Sequence, residues 1–377
     1  MKVLYIASLN VKTGGPSFST YNTLIGLKAA GADVESVCSP LESGDRLIGD
    51  EIPVRFSRKQ TNVGIFHYTP HLKEDVRRIE NVDLYHIQGV WMYSTCVVAS
   101  LGREIGKPYI ISLRGTLYPQ DIMKSNAPLK KLALKLRLLK DLNNAACIHT
   151  TCEEEMNYCR ALGVKAPCCV VPNPIEIKEY QGEKEDAVFR LGYLGRLSPR
   201  KNVESLIYAF SELGEKARDA ELLIIGGGDD SYEHFLKKEV ERLGLNNVRF
   251  VGFLTDKEKD KALATCSVLA MPSEFENFGN VILEGLIRRI PCIATKGAPW
   301  RELETERCGW WCDYSQEAIT SAIAQAMEKS ANELHEMGSR GRELVVRRYS
   351  IESVAAEMLS VYRWVTGEGE KPECVVE

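Results

Sequence analysis

Two glutamates, Glu276 and Glu284, stand with seven residues between them in the stretch SEFENFGNVILEGL. The apolar run at 268–271 that leads into it is strand-like, Pro272 breaks that run, and 281–289 has helical spacing, so a helix is expected to begin near Gly279. The first N–H groups of a helix have no acceptor within it and lie at the positive end of its dipole. The amides of Phe278, Gly279 and Asn280 could therefore hold a phosphate. Gly279 lets a ligand come close to the backbone. Only Glu284 falls on a regular element. The two carboxylates need not form an acid/base pair and could touch different parts of one extended ligand.

A second strand-like run, 189–194, ends in Gly195 and Arg196, with Lys201 just ahead of a helical pattern over 203–213. Close backbone, two cations and helix-start amides are what a diphosphate would require; the competing reading is surface ion pairing. Gly14 and Gly15 likewise precede a helical stretch, 17–30. They could bring a ligand against the backbone or simply form a βα loop. The dinucleotide pattern G-x-G-x-x-G is absent there. Arg114 follows the buried-type strand 108–112, where its guanidinium would suit a phosphate or a sugar hydroxyl, or pair with a carboxylate. His86 sits in an apolar strand, where an imidazole is more often a satisfied core group than a catalyst.

These residues need elements to hold them. Strand and helix signals alternate along the whole chain, a β-α-β rhythm that predicts parallel sheets covered by helices on both faces, with ligands at the carboxyl ends of the strands. A highly charged stretch with little apolar content, 176–186, reads as a linker between two domains, and 377 residues suffice for two cores.

With these motifs in place the chain resembles the family 4 glycosyltransferases of GT-B architecture, also described as glycosyl transferases group 1, whose signature is E-x7-E. The likeness covers nearly all of the sequence and is tightest over 192–303. It implies an α/β fold of two facing Rossmann-like, doubly wound domains with the cleft between them: an acceptor-side domain at 1–175, a nucleotide-sugar domain at 176–348, and a helix at 349–366 returning to the first domain. A tail at 367–377 is expected to be disordered. The resemblance assigns the transferred sugar to Glu276, the ribose to Glu284, and the diphosphate to the 278–280 amides and to Gly195, Arg196 and Lys201. Of these, Glu276, Arg196 and Lys201 are the expected catalytic residues. It also turns Gly14 and Gly15 toward the donor, and places Arg114 where many members carry His. The run DLYHIQGVW, containing His86 and Trp91, is similar to the family's acceptor-facing stretch. Retention of anomeric configuration and transfer to a hydroxyl of a glycan or lipid-linked acceptor follow from the same likeness. A setting in bacterial capsule, exopolysaccharide or lipopolysaccharide assembly follows as well.

No Asp-x-Asp clamp is present, so neither a metal nor another cofactor is expected, and Arg196 and Lys201 would take over that charge. Two competitors are a hydrolyzing epimerase of the same architecture and a nucleotide-sugar-binding protein without transferase activity.

Residues 1–175 hold 21 Lys+Arg against 16 Asp+Glu, and 176–377 hold 27 against 36. That balance disfavours nucleic acid as a partner, while a basic front half could meet an anionic membrane surface. The segment 128–142, PLKKLALKLRLLKDL, is amphipathic and basic, with Leu129, Leu132, Leu136 and Leu139 as one stripe. It could be an ordinary outer helix or a membrane-surface helix. Twelve cysteines without a C-x-x-C pair read as reduced, mostly buried thiols. With no leader pattern and no apolar run near the ~20 residues of a membrane span, a cytoplasmic, at most peripheral, protein is expected.

Overall fold

Successive residues of the first strand are apolar on both faces, and both faces are covered. Val3 and Tyr5 face one core with Leu24, Leu27 and Met358, while Leu4 and Ile6 face another with Tyr85, Leu101 and Ile111. This two-sided burial is what makes a parallel sheet read as a continuous hydrophobic run. The computed structural model describes residues 1–58, 68–124, 126–180 and 188–377. Most of the expected linker lies outside these residues.

The described residues form two units, Met1–Glu176 with Ser350–Glu377, and Ile177–Tyr349. The first contains β1 (Lys2–Ile6), β2 (Asp33–Cys38), β3 (Val54–Phe56), β4 (Leu84–Gln88), β5 (Tyr109–Ser112), β6 (Cys147–Thr150) and β7 (Cys168–Val170). The second contains β8 (Arg190–Leu194), β9 (Glu221–Ile225), β10 (Val248–Gly252), β11 (Val268–Met271), β12 (Cys292–Thr295) and β13 (Gly309–Cys312). A last short strand, β14 (Val375–Val376), returns to the first sheet.

The strand orders are β14-β7-β6-β5-β4-β1-β2-β3 and β10-β9-β8-β11-β12-β13. Among the described strands all pairings are parallel except β14 with β7. In each sheet the first strand is flanked by the second on one side and the fourth on the other. The order in which strands are added to the sheet therefore switches sides between β1 and β4, and again between β8 and β11. Helices leave such a pair toward opposite faces, which opens a crevice at their carboxyl ends. The expected α/β, Rossmann-like organisation is present in both units.

The helix Ile351–Val365 packs on the helix Gly15–Ala29, and Gly26 is the reason it can come so close: a Cβ there would lie 2.7 Å from Ala355 Cβ and from Ile351 Cγ2. The disordered tail expected at 367–377 is a misreading. Val375 and Val376 pair antiparallel with Cys169 and Cys168, and Val375 is buried. Edge pairing satisfies backbone groups that a two-residue apolar pattern does not advertise. All twelve cysteines are free, eight of them buried. No helix among the described residues is long and apolar enough to cross a membrane.

Candidate nucleotide-sugar site

In the second unit the candidate residues collect at the carboxyl ends of β8 and β11, the strands that flank the switch. After β11, Pro272 ends the strand and the chain turns back into the helix Asn280–Ile287, whose N-cap is Gly279 at φ 84°. Only glycine takes that left-handed conformation without strain, and a Cβ would also lie 2.7 Å from Met271 Cε. Beneath the turn, buried Trp300 donates its indole N–H to the Phe278 carbonyl at 2.5 Å and packs edge-on against the Phe278 ring. The Phe278 side chain is thus an anchor, and its backbone is what the turn presents.

The loop after β8 is fastened to this turn. The Glu274 amide donates to the Arg200 carbonyl at 3.0 Å, and Asn202 Nδ2 donates to the Pro272 carbonyl at 3.2 Å. Across this seam the Lys201 ammonium donates to Glu276 Oε1, and Ser273 Oγ donates to the same oxygen at 2.8 Å. Arg196 lies in the same loop with an exposed side chain, its carbonyl accepting from Tyr193 Oη at 2.9 Å. Gly195 at φ 155° accepts the neighbouring loop so closely that a Cβ on Gly226 would overlap its carbonyl oxygen. These glycines let the loops after β8 and β9 pack backbone against backbone.

Glu284, on the helix and one turn beyond the turn's amides, is held by Lys259, whose Nζ donates to Oε2 at 2.6 Å. Each carboxylate of the motif therefore has a lysine partner, and neither pairs with the other. Sequence reasoning missed Lys259, Ser273 and Asn202. The first is one lysine among several in the run TDKEKDK, and nothing in its spacing distinguishes it.

In the first unit, Gly14 at φ 73° caps the helix Gly15–Ala29 and donates its own amide to the Val11 carbonyl, leaving the Gly15 amide as the helix's first. A Cβ on Gly14 would meet nothing within 4 Å, so the backbone here borders open space. Arg114, at φ 52°, follows β5 and donates Nε to Gln88 Oε1 at 3.0 Å and Nη1 to Asn173 Oδ1. These partners are amide oxygens at the end of β4 and just beyond β7, not the carboxylate considered above. Burial pulls the guanidinium below its usual range, against the pull of nearby Glu155. That carboxyl, buried and accepting from the Thr151 amide at 2.7 Å and from the Gly115 amide, is pushed up by its burial.

His86 is not an acceptor-facing group. Its side chain is buried, with Nδ1 2.5 Å from Tyr362 Oη and Nε2 2.6 Å from Ser112 Oγ. Ser112 Oγ in turn lies 2.6 Å from His149 Nδ1, and Tyr362 also bonds Tyr5. Burial drives both imidazoles down, His149 to about 3. The chain ties β1, β4, β5 and β6 to the C-terminal helix, so the core reading of His86 replaces the site reading. Trp91 is half-buried and donates its indole N–H to the Thr116 carbonyl at 2.9 Å.

Residues 14–174 match the family described as glycosyl transferase 4-like domain, and residues 175–344 match glycosyl transferases group 1. The chain is 28% identical over 223 residues to the alpha-1,3/1,6-mannosyltransferase of Homo sapiens, a stretch covering 55% of this chain and 51% of that protein. It is 27% identical over 214 residues to the phosphatidyl-myo-inositol mannosyltransferase of Mycobacterium tuberculosis, covering 53% of this chain and 55% of that one. The match thus spans about half the length of these curated relatives. Among solved structures, sucrose-phosphate synthase from Thermosynechococcus elongatus is similar at a TM-score of 0.79 with 19% identity, covering 97% of this chain and 99% of the other. Anabaena HepE in complex with UDP and glucose is similar at 0.73 with 18% identity, covering 95% and 98%. At such identities the likeness speaks for the fold, which is GT-B. With its two halves matched to the two domains of that family, the chain belongs to the group 1, family 4 glycosyltransferases.

Proposed function

We propose that this protein moves a glycosyl unit from a UDP- or GDP-sugar to a hydroxyl of a glycan or lipid-linked acceptor, with retention of anomeric configuration. The observation that carries the reading is the meeting of Lys201 with Glu276 beside the Gly279 helix start. A cation, a sugar-hydroxyl acceptor and helix-start amides stand together at one switch in strand order. In this mechanism Arg196, Lys201 and the amides of Phe278, Gly279 and Asn280 stabilise the departing diphosphate, an electrostatic role that needs no metal. Glu276 holds the sugar hydroxyls and Glu284 takes the ribose. The human and mycobacterial relatives are named mannosyltransferases and HepE was solved with UDP-glucose, which supports a nucleotide-sugar donor.

The setting we infer is bacterial cell-surface polysaccharide synthesis, in the cytoplasm and at the inner face of the membrane. Support comes from the helical run over 127–143, where Leu129, Leu132 and Leu136 are 48%, 53% and 73% exposed among exposed Lys131, Lys135, Arg137 and Lys140. An apolar ridge rimmed by cations fits an anionic lipid surface.

The test is calorimetric binding of UDP, GDP, ADP and their common sugars with EDTA throughout, followed by turnover with an acceptor panel. Metal-independent binding of one nucleotide family is expected. Binding that required a divalent ion would overturn the electrostatic role of Arg196 and Lys201, and binding without turnover would favour a silent sensor. Turnover of the donor with no acceptor would favour the epimerase.

A further inference from the structure

Beside the carboxylate read as the ribose acceptor stands a cation that the motif does not contain. Lys259 comes from the helix Asp256–Ala264 and Glu284 from the helix Asn280–Ile287, and their side chains are 28% and 25% exposed. The ammonium donates to Glu284 Oε2 at 2.6 Å, and Arg288 Nη1 lies 3.9 Å from the same oxygen. Arg288 is itself fixed: Nη1 donates to the Glu284 carbonyl at 2.7 Å, Nη2 to Asp260 Oδ1 at 2.5 Å, and the guanidinium lies 3.7 Å from the Tyr180 ring centroid. Its side chain is only 6% exposed. Two helices thus bring cations to one carboxylate oxygen, and the entry to the second unit packs on the arginine beside it.

We propose that Lys259 sets the ribose specificity of this site, as a positioning residue for Glu284 and a donor to the sugar's hydroxyls. The inference rests on the reading that Glu284 takes the ribose. The pair is partly buried, with each side chain still partly open to solvent, so both groups remain able to meet a ligand. Both cations approach Oε2, which leaves Oε1 as the oxygen turned to a hydroxyl donor. One N–H of the ammonium is used on Oε2, and two remain to donate. A vicinal diol both donates and accepts, and the Lys259–Glu284 pair offers the complementary acceptor and donor side by side. A carboxylate already tethered also loses less conformational freedom when the nucleotide arrives. A nucleotide lacking either hydroxyl would leave one member of the pair unmatched, the kind of mismatch that discriminates strongly.

The experiment compares affinities of UDP, GDP and ADP with those of their 2′-deoxy and 3′-deoxy counterparts for the full chain and for Lys259→Met, Lys259→Arg and Glu284→Gln. The unaltered protein is expected to prefer the ribonucleotide about tenfold or more. Lys259→Met should weaken the ribonucleotide about five- to tenfold and leave the deoxy forms within about twofold, collapsing the preference, while Lys259→Arg restores most of it. The deoxy affinities report that the variant is folded. If Lys259→Met shifts both forms equally, or neither, while Glu284→Gln abolishes the preference, the role of Lys259 is overturned and the ribose reading stands. If the unaltered protein shows no preference, or binds none of the three nucleotides, the ribose reading falls and takes this inference with it.

Discussion

Lys201 and Glu276 belong to different loops, yet the ammonium of one donates to the carboxylate of the other, with Ser273 Oγ on the same oxygen at 2.8 Å. On the proposed function, a diphosphate arriving here would meet a lysine already placed by the group proposed to hold the sugar. Lys201→Ala is expected to lower kcat by roughly 10²–10³, the usual loss for one preorganised donor to a developing negative charge. Adding Arg196→Ala should nearly abolish turnover. Steady-state kinetics on the three proteins check this, and unchanged kinetics would remove both residues from the mechanism.

Gly279→Ala places a side chain at φ 84° and 2.7 Å from Met271 Cε. A strain of about 1–3 kcal/mol is expected, concentrated at the turn whose amides are proposed to hold the diphosphate. Thermal unfolding should show a lowered Tm, and calorimetry a loss of nucleotide affinity greater than that of Gly106→Ala, which sits at a similar φ of 67° but meets no neighbour. Equal losses from the two substitutions would argue against the turn as the diphosphate seat.

Burial lowers His86 and His149 in the folded state, with His149 brought from 6.5 to about 3. The unfolded chain therefore binds more protons below pH 6.5 than the folded one. The stability contribution is fully present above that pH and is lost as pH falls toward 3, at up to about 1.4 kcal/mol per pH unit for each imidazole. Glu155, pushed up by burial, works in the opposite sense. Urea unfolding at pH 7.5, 6 and 5 should show stability declining below pH 6.5; a flat profile would mean that the imidazoles are not buried as neutral groups.

On vesicles containing an anionic phospholipid, the unaltered protein is expected to co-float at low salt and to be released by salt. Leu132→Glu combined with Leu136→Glu should abolish flotation without lowering Tm, because both side chains are exposed. Flotation that persists in the double variant would assign the surface elsewhere.

Much of the second unit was legible because its punctuation is chemical. Pro272 must end a strand, Gly279 must cap a helix, and the two glutamates are fixed by that frame. The leucines of 128–142 were harder, since leucine occurs on both faces. Leu134, Leu138 and Leu142 are the buried set, and a π-helical segment at Leu134–Leu138 turns Leu139 away from the exposed ridge and toward the core. A wider helical turn changes the register in a way that a fixed period cannot follow. His86 was ambiguous because its partner, Tyr362, lies 276 residues later in the chain. Lys259 was invisible because an ion pair between two helices leaves no mark on either one's pattern.

The first unit is completed by the end of the chain: Tyr362 finishes the hydrogen-bond chain at His86, Met358 covers Leu24 and Leu27, and Val375 closes the edge at Cys169. During synthesis the whole of Ile177–Tyr349 must emerge before these residues do. At translation speeds of about 5–20 residues per second, the first unit waits roughly 10–35 s with one apolar helix face open. The second unit, continuous in sequence, has no such delay. On the ribosome, the half that begins first is therefore the one that finishes last, and the newborn amino-terminal segment is where a chaperone would have most to hold.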